Sequence, residues 1–116
     1  MSKQKYFSKP NKCNHLHTHA SKKEATRCNE LYLLRSLGKI KDLKQQPEFT
    51  LQPRFKLEGK IIRPIKYIAD FSYFDNQSEV FVVEDVKGFR TKDYMIKKKM
   101  LMYMMRKRLD FIFMET

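Results

Sequence analysis

Val82-Val83-Glu84-Asp85-Val86-Lys87-Gly88, with Tyr67-Ile68-Ala69-Asp70-Phe71 a short way upstream, decides how this chain is read. Both are β-type apolar runs carrying acids that a strand interior does not favour. Successive strand side chains point to opposite faces, so Asp85 and Lys87 share one face and Glu84 turns to the other. Asp75-Asn76-Gln77-Ser78 reads as a hairpin loop, which makes the strand of Asp70 the antiparallel neighbour of a strand from Glu79 to Lys87. Counting outward from that loop brings Asp70 level with residues 83 to 85. Two carboxylates then meet at one end of one hairpin, where together with the Val86 carbonyl they suit a hard divalent cation such as Mg²⁺ or Mn²⁺. Beside them, Lys87 can orient or deprotonate a water and offset charge developing on a phosphoryl group. The plainer alternative pairs Asp70 and Asp85 with nearby Lys or Arg on a solvated face. Two acids in apolar segments are, however, costly to desolvate without a cation. Glu84 is expected to find a structural partner on the far face unless a β-bulge exchanges it with Asp85.

The rest of the composition agrees with a phosphate-bearing partner. Lys and Arg number 25 against 13 Asp and Glu, for a net charge of +12 on 116 residues. That imbalance favours a polyanion, with DNA the first candidate, and the length allows one core and one domain. No stretch is long and apolar enough to span a membrane, and the basic start lacks the apolar region of a signal peptide, so a cytoplasmic protein is expected. No Gly-rich phosphate loop or serine-nucleophile motif competes. Residues 1 to 14 read as a flexible basic arm or a merely solubilising tail, and 15 to 116 as the folded domain.

Ser21-Lys22-Lys23-Glu24 opens a helix with a capping-box pattern, running to about Leu37 with Gly38 as terminator. On local sequence Glu24 is a capping residue. Ile40 to Leu43 reads as a connector. Glu48 to Leu57 reads as a strand with Phe49, Leu51, Phe55 and Leu57 on one face and Pro53 at an edge or bulge. After the turn Glu58-Gly59-Lys60, a long strand from Ile61 to Phe74, broken or entered at Pro64, carries Asp70. Thr91 begins a second helix to about Lys107, with an apolar stripe of Tyr94, Ile96, Met100, Leu101 and Met104, its methionines read as adaptable core packing. Leu109 to Met114 closes the chain as a short strand. Arg90 is the best phosphate contact near the site and could equally pair with an acid of the protein.

All three histidines lie between Cys13 and Cys28. Two thiolates and two imidazoles suit tetrahedral Zn²⁺, and in an extended segment Cys13, His15, His17 and His19 share one face. The alternative makes Cys28 a small core residue and leaves the histidines solvated or on phosphate.

Asp70 followed by Asp85-x-Lys87, with Glu24 on a preceding helix, resembles the PD-(D/E)XK nuclease superfamily. More closely, Ser21 to Ala25, Gln52 to Phe55, Tyr67 to Phe71 and Glu84 to Thr91 resemble a family of small phage and prophage proteins of uncharacterised function that is assigned to this superfamily and is similar to Holliday-junction resolvases. The resemblance implies an α/β (α+β) restriction-endonuclease-like core, in the order helix, strand, strand, strand, helix, strand. It implies Asp70, Asp85 and the Val86 carbonyl on Mg²⁺ or Mn²⁺, Glu24 acting through a water of the metal's shell, and Lys87 assisting the nucleophile. It further implies a basic residue of the second helix near the site, drawn from Lys97, Lys98 and Lys99, and a zinc set of Cys13, His17, His19 and Cys28. The expected activity is metal-dependent cleavage of branched DNA, with symmetric nicking favouring a homodimer. A non-catalytic, zinc-stabilised adaptor on the same fold is the alternative.

Overall fold

The computed structural model describes residues 11–12 and 18–19 by their backbone and residues 21–86 and 90–116 in full. Two short strands, β1 (Asn11–Lys12) and β2 (Thr18–His19), pair antiparallel and lie against the first helix, α1 (Lys22–Ser36). Ser21 starts α1 as expected, its hydroxyl accepting the Glu24 N–H at 3.1 Å. Gly38 ends it at φ 74°, donating to the Arg35 carbonyl while Lys39 donates to that of Leu34. This left-handed close suits glycine, and Gly38→Ala is expected to lower stability by about 1 kcal/mol, read from the urea midpoint.

Ile40 to Leu43 is not a connector. It belongs to β3 (Ile40–Gln45), whose alternation is obscured by a register shift between Lys41 and Lys44 and by Asp42 at φ 55°. The chain then leaves the body as a two-stranded ribbon. β4 (Glu48–Gln52) pairs with β7 (Ile65–Ile68), and further out β5 (Phe55–Leu57) pairs with β6 (Lys60–Ile62). The two long strands expected here are thus divided at Pro53-Arg54 and at Arg63-Pro64, since proline cannot donate to a ladder, and again at Ala69-Asp70. Only Phe49 and Leu51 of the predicted face pack inward, and Phe55 and Leu57 are exposed. At the ribbon's root, Ala69 N–H donates to the Pro47 carbonyl at 3.1 Å and Gln46 N–H to the Asp70 carbonyl at 2.9 Å.

The chain returns as β8 (Phe71–Asp75) and β9 (Val80–Asp85), crosses over through α2 (Lys92–Met104) and ends in β10 (Phe111–Glu115). The main sheet has the order β10-β9-β8-β3, parallel between β9 and β10 and antiparallel elsewhere. The protein is therefore mixed α and β, with two helices and a mixed sheet. Its body follows the order helix, strand, strand, strand, helix, strand, but the first of those strands is β3 rather than 48 to 57.

Each sheet face has its own core. Ala25, Cys28 and Leu31 of α1 cover Ile40, Phe71, Tyr73 and Val82. Tyr94 and Leu101 of α2 cover Tyr67, Ala69 and Val83. The stripe expected on α2 is narrower than read: Ile96 and Met104 are exposed, as are Met95 and Met102, so these methionines are not core packing. No helix among the described residues is long and apolar enough to cross a membrane.

Candidate active site

β9 ends where β8 begins, and the pairing of Phe71 with Glu84 places Asp70 beside Asp85. The two acids are interlocked through the backbone. Asp70 N–H donates to Asp85 Oδ1 at 3.1 Å, and Val86 N–H donates to Asp70 Oδ2 at 2.8 Å. Asp85 is fully buried and Asp70 half-buried. Backbone N–H groups thus orient both carboxylates.

Alternation sends Glu84 the opposite way, to the α1 face, where it is also fully buried. It accepts from Arg27 Nε at 2.6 Å and Nη2 at 3.1 Å, from the Tyr73 hydroxyl at 2.7 Å and from Thr116 Oγ1 at 3.1 Å. The bond to Glu84 raises the pKa of Arg27, and burial, then Glu84, raises that of Tyr73, so both stay protonated.

On the α2 face a second acid joins Asp85. Parallel pairing sets Glu115 directly beside it, and Glu115 accepts from the Tyr94 hydroxyl, from Arg90 Nη2 at 2.7 Å and from Lys98 Nζ at 3.2 Å. Arg90, then Tyr94, hold the Glu115 carboxyl down at about 2. Burial, then Glu115 and the charge of Asp85, push the Tyr94 phenol up. Among the three candidate lysines, Lys98 is the one that pairs with Glu115, and Lys99 lines the same groove with Arg90, Tyr94 and Glu115. Lys97 pairs with Asp93 at 3.6 Å, and Lys99 is exposed and also lines an outer groove with Lys92, Met95 and Ile96. Arg90 has taken the acid partner allowed for it.

Glu24 is buried on the sheet-facing stripe of α1 with Cys28 and Leu31. Its neighbours Lys23 and Thr26 line a groove with Val86 and Thr116, so the first turn of α1 stands at the same end of the sheet as the two aspartates. Lys87, Cys13 and His17 lie outside the described residues, and His19 is described by its backbone alone. Cys28 is a core thiol that accepts from Gln45 Nε2 at 3.3 Å. Among the described residues, no three His, Cys, Asp or Glu side chains are grouped to hold a metal.

Sequence reasoning missed Glu115, Tyr94 and Arg27 as site-building residues. The strand read as ending at Met114 continues one residue, and alternation from Phe113 already put Glu115 on the Tyr94 side. Because its folded pKa is depressed, Glu115 adds stability that is present above the ordinary glutamate range and is lost as pH falls from about 4.5 toward 2. Glu115→Gln is expected to flatten that acid limb of the stability profile, as read by urea unfolding across pH.

A family model described as "Protein of unknown function (DUF1064)" matches residues 3–115. No curated protein and no solved structure matches the chain.

Proposed function

The chain belongs to the DUF1064 family, and from its own pair of carboxylates we propose that it is a metal-dependent DNA endonuclease selective for branched DNA, on a restriction-endonuclease-like PD-(D/E)XK core. The observation that carries this reading is the interlocked pair Asp70 and Asp85 at the end of β9. The order of the body, with α1 and α2 on opposite faces of the sheet, supports it.

The donor set fits Mg²⁺ or Mn²⁺, since Asp70, Asp85 and the Val86 carbonyl are hard oxygen ligands from one short stretch of sheet. Bound there, the ion supplies Lewis-acid polarisation of a phosphodiester oxygen and a more acidic water. The chain's own groups do the positioning. The Asp70 and Val86 N–H groups keep the two carboxylates aimed, while Lys98 and Arg90, held on Glu115, present positive charge beside them. Glu24, buried on α1, would act through a water of the metal's shell, and Lys87 takes its role as water-orienting base from its spacing to Asp85. Symmetric nicking of a junction uses two copies of the chain.

The test is cleavage of a panel of four-way junction, flap, duplex and single-stranded DNA with Mg²⁺ or Mn²⁺. Metal-dependent cutting that favours the junction is expected. Tight binding without cutting under any metal would turn the reading toward a non-catalytic adaptor.

A further inference from the structure

Residues 53–64 form the outer half of the ribbon. Among the described residues, β5 and β6 have no substantial packing partner except each other. The tip is narrow and stiff: Glu58 and Gly59, at φ 49° and 78°, form a two-residue turn with both φ positive, the kind that matches strand twist. Yet the ribbon is not dressed as an idle surface loop. Phe55, Leu57 and Ile61 are 42%, 59% and 57% exposed. Arg54, Lys56, Lys60 and Arg63 are exposed beside them, and Glu58 is the one acid of the stretch. The pairs Lys56 with Ile61 and Leu57 with Lys60 put a cation next to an apolar side chain on each ribbon face.

Exposed apolar groups call for an occupant, and the four cations select it. A second copy would bring four like charges to the same place, whereas a polyanion is complementary. Shape agrees, because two strands about 4.8 Å apart fit a major groove about 12 Å wide. Apolar side chains in that groove pack against base edges such as the thymine methyl. We propose that the ribbon of residues 53–64 is a DNA arm that enters a groove of the double helix. Arg54, Lys56, Lys60 and Arg63 straddle the phosphates, and Leu57 and Ile61 rest against base edges and sugars. The proposal rests on the nuclease reading only for taking the polyanion to be DNA. The arm projects about 20 Å, six residues per strand at about 3.3 Å each, so it grips duplex away from the Asp70 and Asp85 pair.

Binding of the full chain to labelled four-way junction and linear duplex is measured by fluorescence anisotropy in EDTA across a salt series, so a failed nuclease reading leaves this test intact. Replacing Arg54, Lys56, Lys60 and Arg63 by Ser is expected to reduce the salt slope of log K by about one per lost phosphate contact. Leu57→Ser with Ile61→Ser is expected to weaken binding several-fold at an unchanged slope. A third variant joins Gln52 to Ile65, which are paired, through Asn-Gly in place of residues 53–64. It is expected to melt cooperatively and to show both losses. Wild-type affinity and slope in all three would overturn the proposal. So would a wild-type dimer in sedimentation that the Leu57 and Ile61 substitutions convert to monomer, since the ribbon would then seat against a second copy.

Discussion

Asp85→Asn is expected to reduce metal-dependent DNA cleavage by about a thousandfold or more, the scale of the several kcal/mol that a bound divalent ion contributes to a phosphoryl-transfer barrier. Asparagine keeps the shape and an oxygen able to accept the Asp70 N–H, which bonds Asp85 Oδ1 at 3.1 Å in the native chain. The substitution therefore removes charge with little change in packing. DNA binding in EDTA should persist, and thermal unfolding should remain cooperative. Cleavage that survives Asp85→Asn at the native rate would sink the assignment of this pair as the metal-binding carboxylates.

The second large effect is on stability. Arg27→Ala is expected to cost about 3–5 kcal/mol in urea unfolding at neutral pH, because it strands the carboxylate of Glu84. Glu84 is fully enclosed and Arg27 supplies both of its charged hydrogen bonds. The loss should depend on pH in a definite direction. An uncompensated buried glutamate has a raised folded pKa, so the penalty is absent below the ordinary glutamate value of about 4.3 and develops as pH rises above it. Arg27→Met with Glu84→Gln, which removes both charges, should recover much of the stability. A loss below about 1 kcal/mol in the single variant would mean that Tyr73 and Thr116 alone satisfy Glu84.

These expected effects come from adjacent residues that turn to opposite faces of the sheet, and that facing is legible in the sequence. Period-two alternation over Val82 to Asp85 separates Glu84 from Asp85, and the loop Asp75 to Ser78 fixes the register that brings Asp70 alongside. Three helix ends were equally legible, because Ser21, Gly38 and Thr91 act through local backbone chemistry, whereas α2 closes at Met104, short of Lys107. What was not legible depends on partners distant in sequence. Nothing in Ile40 to Gln45 announces a strand of the main sheet, since its bulge breaks the alternation and only pairing with β8 reveals it. Phe49 and Phe55 look alike in sequence, yet one packs under α2 and the other projects into solvent, because Pro53 turns the strand out of the core. Glu115 required knowing that β10 runs parallel to β9.

The clamp at the root of the ribbon bears on how the chain folds. β3 and β8 must find each other across some two dozen intervening residues, and closing a floppy loop of that size costs about 3 kcal/mol in chain entropy. A hairpin that zips from the turn at Glu58 and Gly59 does so within microseconds. Once zipped, it delivers Gln46 and Asp70 to within one hydrogen bond of each other. A contact that is long-range in sequence thereby becomes short-range in effective distance, and the central sheet can nucleate at Phe71 and Gln45 without an extended search.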